Sequence, residues 1–303
     1  MSEQMQLNLI QTYCWVCDMF DKNPQWNYIR LSNNNQPADF TDQEAVTIYI
    51  FAGKYQRYFQ ISEIHEFATH YLYEWFPKLT SYTKFNHRLN VIQPIFYDML
   101  LDIISNNIPQ NTSFNTMLLD SMPIITSKSK NRTAKVAREI TDKGYCSTKN
   151  LYYYGLKLHL LAYRRSGTMP FPNKIYLSSA SENDLAVVRE INWLDDLVQT
   201  EVFADKAYCN KKYVETRKQA IQLELFTPVK AIKGTPEHIK QHDLAYNNLF
   251  SNAVSKVRQP IESLFNWWIQ KTNLQNANKV RSTNGLLMHC FGKLTIATLN
   301  WIF

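Results

Sequence analysis

Residues 116–125, Thr-Met-Leu-Leu-Asp-Ser-Met-Pro-Ile-Ile, form an apolar run broken by one carboxylate, Asp120. Large apolar and β-branched residues at this density predict a strand. A second run, Val202-Phe203-Ala204, stops directly before Asp205. Each aspartate therefore ends a stretch expected to be buried, and a buried carboxylate is costly without a cation or strong hydrogen bonds. A third acid, Glu262, lies at the edge of a stripe made by Val254, Val257, Ile261, Leu264, Phe265 and Trp268. That spacing of three and four predicts an amphipathic helix. Two aspartates at strand tips and a glutamate on a helix would repel one another in a shared pocket. Two Mg²⁺ ions, which prefer oxygen ligands, reverse the repulsion and suit the cutting and joining of phosphodiesters. Mn²⁺ is an expected substitute.

Outward from these words, strands are predicted over 116–125, 152–162 and 174–179, a helix over 184–197 and a strand over 201–204. A helix over 211–220, a strand over 223–229, a helix across Glu262 and another from 282 to the end complete the order. This is the order of a ribonuclease-H-like core, an α/β fold with a mixed five-stranded sheet and flanking helices. Pro260 is expected at the first turn or at a kink of the helix bearing Glu262. Arg258, four residues before Glu262 on the same helical face, can pair with it or hold a phosphate.

The front of the chain reads as all-helical. Thr41-Asp42-Gln43-Glu44 is a capping box before an apolar run ending near Gly53. A helix from Ser62 to Phe76 is expected, stopped by Pro77, and another over 81–104 kinked at Pro94. The polar stretch 106–113 places a boundary, giving a helical region over 1–110 and a catalytic domain over 111–303. The helical region suits either DNA binding or dimerisation.

Charge sharpens this division. Residues 1–110 carry 7 Lys/Arg and 11 Asp/Glu, whereas 111–303 carry 26 and 15. A basic half that also holds the candidate acids suits a polyanionic substrate. Lys128, Lys130, Arg132, Lys135, Arg138, Lys143 and Lys149 crowd one polar segment after the first strand, offset only by Glu139 and Asp142. It is expected to be a solvated loop or a phosphate contact. Lys157 and Lys206 are further candidates for DNA contact. Glycine is scarce, at 7 in 303 residues, and no Walker-type or Gly-x-Gly-x-x-Gly loop occurs, so a nucleotide cofactor is not expected. Residues 1–8 lack a cationic start and apolar run, and no window is long enough to span a bilayer. Five cysteines without framework spacing point to a reducing cytoplasm.

At the acidic words the chain resembles bacterial insertion-sequence transposases of the DDE type. Asp205-Lys206-Ala207-Tyr208 is similar to the word around that family's second aspartate, and Tyr153-Tyr154-Gly155-Leu156-Lys157-Leu158-His159 to its second core strand. The resemblance covers about 113–272 and implies Asp120, Asp205 and Glu262 as metal ligands. It also implies double-stranded DNA as substrate, cleavage at element ends, 3′-OH strand transfer, and a homodimer or larger synaptic assembly. Many relatives carry Tyr-x2-Arg-x3-Glu-x6-Lys on the last helix. Here the Arg258–Glu262 spacing is kept, Ser255 holds the tyrosine position and Ile269 the lysine position, with Lys271 two residues on. A plain nuclease of the same fold and a non-cutting DNA-binding derivative are the alternatives.

Three other patterns carry less. His65 and His70 are five residues apart, about 500° around a helix, and cannot share a zinc face. Cys14 and Cys17 form a lone Cys-x2-Cys pair. Trp268 fits the helix core by its spacing, while Trp267 is open between core and base stacking.

Overall fold

The computed structural model describes residues 1–29, 39–128, 136–146, 150–230 and 237–302. In chain order the regular elements are α1 (Glu3–Lys22), α2 (Asp42–Tyr55), α3 (Ile61–Tyr71), α4 (Tyr82–Val91) and α5 (Gln93–Asn106). Then come β1 (Thr112–Lys128), β2 (Asp142–Cys146), β3 (Leu151–Arg165), β4 (Phe171–Ser179) and α6 (Asp184–Glu190). β5 (Glu201–Ala204), α7 (Lys211–Ile221), β6 (Glu224–Phe226), α8 (Glu237–Thr272) and α9 (Thr283–Thr298) follow. Among the described residues no helix is long and apolar enough to cross a membrane.

The chain divides into two compact units, one of Met1–Asn107 with Trp268–Phe303 and one of Ile108–Trp267. The last 36 residues thus group with the front helices, whereas the sequence reading placed all of 111–303 together. In the helical unit, Thr41 and Glu44 form the expected capping box of α2, and 45–53 are buried all round. A helix apolar on every side belongs at the centre of a bundle. α9 packs beside α5, where Thr295 Oγ1 donates to the Phe96 carbonyl at 2.9 Å. Three helix limits differ from expectation. α3 is capped by Gln60 with Glu63, not by Ser62, and ends at Tyr71 in a turn that carries the chain to Phe76. The 81–104 helix is two helices that meet at Ile92, with Pro94 in the first turn of α5. There its missing N–H costs nothing.

α9 also buries Lys293, which is 3 % exposed and donates to the Asn273 carbonyl at 3.1 Å. Burial lowers its ammonium to about 7, against the opposing influence of Cys290 and Glu63. The unfolded chain takes up this proton as pH falls through about 10.5 while the folded chain does not until about 7, so stability is lost across that window. Lys293→Met is therefore expected to raise the melting temperature by ~5 °C or more at pH 7. The gain should shrink toward pH 10 in the same calorimetric series.

The second unit is built on a six-stranded sheet. β3 runs antiparallel to β1, and β4 antiparallel to β3. β5 lies parallel to β1 on its other side, followed by parallel β6. The order β4-β3-β1-β5-β6 is that of a ribonuclease-H-like core. β1 occupies one whole edge of β3, so β2 and β4 share the other edge end to end. β2 pairs with 151–155 and β4 with 156–163. β2 was not expected, because Asp-Lys-Gly-Tyr-Cys has no apolar alternation and sits in the basic segment. One side of the sheet presents Met117, Leu119, Val202 and Ala204 to Leu185 and Val188 of α6 and Tyr213 of α7.

α6 ends seven residues before the expected limit of 197, where Asn192 takes a left-handed φ of 53° soon after the helix. α8 begins at Glu237, well before 252, and runs through Pro260, so the proline is inside the helix and not in its first turn. Val254, Ile261, Leu264, Phe265 and Trp268 are buried along it, as their spacing predicts.

Gly155 sits where β2 hands over to β4, opposite Ile125 and beside the irregularity between Ile125 and Ser127. A Cβ there would stand 1.9 Å from the Ile124 carbonyl oxygen. Gly155→Ala is expected to cost at least ~3 kcal/mol, measured by urea unfolding, because backbone and not a flexible side chain must move.

Candidate active site

The parallel register fixes the first two acids. Leu118 pairs with Phe203 and Leu119 with Ala204, and there β5 ends. Asp120 and Asp205 are the next residues on neighbouring strands, whose axes lie about 4.8 Å apart. Since Leu119 and Ala204 face α6 and α7, strand alternation turns both aspartates to the opposite side. Asp120 is not at a strand tip, because β1 continues to Lys128. Beside it the neighbouring strand β5 has stopped, the position beyond a strand end at which α/β sheets bind ligands.

Asp205 heads a 3-10 turn over Lys206–Tyr208 but makes no capping hydrogen bond with its side chain. Its carboxylate is thus not consumed by the local backbone. Tyr208 is fully buried, and its phenol is raised by burial first and then by Asp184, Asp120 and Asp205. The aromatic end of the Asp-Lys-Ala-Tyr word therefore anchors the turn in the core beneath the acids. The word was visible in the sequence, but this role was not.

Glu262 comes to the site through Arg258. The guanidinium Nη1 donates to Asp120 Oδ2, and Nη2 donates to Glu262 Oε1 at 2.5 Å. Asp120 Oδ1 also accepts from the Ser121 N–H at 2.8 Å. Burial pushes the Asp120 carboxyl up to about 7; Arg258 and Ser121 oppose this, and Asp205 and Glu262 add to it. Burial alone would lower Arg258, but Asp120, Glu262 and Asp205 outweigh it and raise its value. All three acids therefore act on one guanidinium. Among the described residues no group of three His, Cys, Asp or Glu stands in metal-holding geometry. The arginine lies between Asp120 and Glu262 instead. The donor set nonetheless fits a hard divalent cation, since every candidate ligand is a carboxylate oxygen and the buried one is strained by its own charge.

The expected basic contacts divide. Lys206 is exposed beside Asp205, and Lys128 and Arg138 are exposed. Lys143 lies over the Tyr152 ring at 5.0 Å. Lys130, Arg132, Lys135 and Lys149 lie outside the described residues. Lys157 departs from expectation. Its ammonium donates to Asp184 Oδ1 at 2.9 Å and to the Glu182 carbonyl at 2.6 Å, so β3 is tied to the start of α6. Asp184, two residues past the turn that follows β4, gave no sequence signal of this pairing. His65 and His70 bond the carbonyls of Thr80 and Glu66, and Trp268 is fully buried.

A family model for the transposase DDE domain matches residues 113–299. The chain belongs to the DDE transposase family. Searches of curated proteins and of solved structures return no match. Membership makes this a nucleic-acid-processing type of protein with DNA as its partner, and proteins of the family generally use divalent metal ions. The matched segment contains all three acids and Arg258.

Proposed function

We propose that this transposase cleaves DNA at the ends of its own mobile element and joins the freed 3′-OH to target DNA, using Asp120, Asp205 and Glu262. The observation that carries this reading is the convergence of the three carboxylates on Arg258 from β1, the end of β5 and α8. Asp120 and Asp205 would hold Mg²⁺, or Mn²⁺ in its place, with Glu262 completing the set. A bound pair of such ions supplies activation of the attacking oxygen and charge stabilisation of the leaving oxygen. The chain's own groups do the positioning. Asp120 is fixed by the Ser121 N–H and by its place mid-strand, so its carboxylate loses little freedom on binding. Arg258, which now bridges Asp120 and Glu262, would be placed to take a phosphate with its planar fork were those carboxylates to hold a cation instead. Lys206, exposed next to Asp205, adds positive charge where a DNA strand would pass. A dimer or larger assembly follows from the need to handle two ends together.

The test is incubation of the purified chain with labelled DNA carrying its element's ends, with and without Mg²⁺. Metal-dependent 3′-OH ends and strand-transfer products support the reading. Nicks without transfer products would make it a nuclease, and binding without nicks a non-cutting derivative.

A further inference from the structure

We propose that the helical unit holds a separate nucleotide-binding pocket, formed by the residues entering α3, by α4, the 273–282 connection and the first three turns of α9, that takes a nucleoside phosphate. The cavity measures ≈ 640 Å³, within the range of small-molecule sites. Three cations line it, Lys279, Arg281 and Lys293, and no lining residue is acidic. Glu63 is near enough to influence Lys293, but its carboxylate accepts from the Gln60 side chain at 2.8 Å.

Two features mark this as more than a polar surface. Lys293 is 3 % exposed, and its ammonium meets one acceptor, the Asn273 carbonyl, and the Phe59 ring at 5.7 Å. An ammonium has three donors, so this buried cation keeps capacity for an anionic oxygen. Asn90 Oδ1, also in the lining, is buried with no hydrogen-bond partner. The site thus offers unspent donors of positive charge and one unspent neutral acceptor. A bare anion answers only the first. A nucleotide answers both, with its phosphate toward the cations and a base N–H toward Asn90, while Phe59 and Tyr82 supply aromatic faces. α9 begins at the same cavity, with Ser282 as its cap and Gly285 leaving room near Asn90 Oδ1.

The ligand's chemistry fits a free nucleotide and the terminal nucleotide of a DNA strand. Calorimetric titration of the full chain with dAMP, inorganic phosphate and a short single strand bearing or lacking a 5′-phosphate distinguishes them. Saturable binding of dAMP is expected, tighter than that of inorganic phosphate. Lys293→Met should weaken it at least ~10-fold, as loss of a charge-assisted bond requires. Asn90→Leu should weaken dAMP but not phosphate. Asp120→Asn should leave dAMP binding unchanged, which separates this pocket from the acidic site whether or not that site proves catalytic. If the 5′-phosphorylated strand binds better than dAMP, the occupant is a DNA end; if not, a free nucleotide. Absence of dAMP binding, phosphate binding as tightly as dAMP, or dAMP binding unaffected by Lys293→Met each overturns the proposal. Arg281→Ala gives an independent reading of the same site, and unchanged dAMP affinity there counts against the pocket.

Discussion

Asp120→Asn is expected to abolish strand cleavage, a loss of at least ~10³-fold in rate, while affinity for DNA stays within about twofold. The substitution keeps shape at a mid-strand position whose backbone is held by β3, where Asp120 pairs with Leu160. What it removes is negative charge from a set whose proposed work is to hold divalent cations. DNA affinity rests on phosphate contacts made by lysine and arginine, which the change leaves in place. Asp205→Asn should behave alike, because Asp205 stands beside Asp120 and makes no capping bond whose loss could unfold the turn. A gel assay on end-containing DNA in Mg²⁺, with filter binding in parallel, reads both quantities. Cleavage by either variant at the wild-type rate would remove that residue from the site.

Arg258→Ala should destabilise the protein in metal-free buffer by ~3 kcal/mol, because it strips a buried carboxylate of its counter-charge. The melting temperature is expected to fall by roughly 6 °C or more. Asp120 then stands beside Asp205 and Glu262 with only the Ser121 N–H to support its charge. Ca²⁺, which takes carboxylate ligands, should restore most of the loss in the variant and add less to the wild type. Arg258→Lys should recover little, since an ammonium cannot span Asp120 and Glu262 with a planar fork. A variant as stable as the wild type and indifferent to Ca²⁺ would show that the three acids do not share a field.

Much of the core was legible because its signals are local. The 201–204 strand has its observed limits, since a short apolar run bounded by polar residues leaves no other reading. The apolar stripe through α8 was readable for the same reason, and Glu262 stands at its edge beside Arg258. Asp120 was legible as a carboxylate in a buried strand but not as a mid-strand residue. The strand predicted over 116–125 already runs past Asp120, but the apolar run that stops there reads as its tip; pairing with β3 carries β1 on to Lys128. The bridge from Arg258 to Asp120 spans 138 positions and has no local signature; only its i,i+4 half, to Glu262, could be read. The return of α9 to α5 was hidden likewise, because an apolar helix does not declare its partner. Lys157 shows the opposite failure, in which a basic residue next to a motif was credited with phosphate contact although Asp184 claims it.

Asp120, Asp205 and Glu262 are proposed to gather around divalent cations. Fe²⁺ substituted for Mg²⁺ and treated with ascorbate and peroxide cuts the backbone near the bound metal. Fragment mapping by mass spectrometry should find cuts clustered near 120, 205 and 262 together, suppressed by excess Mg²⁺ and by Asp120→Asn. Cuts near one of these positions alone, or at none of them, would contradict the account.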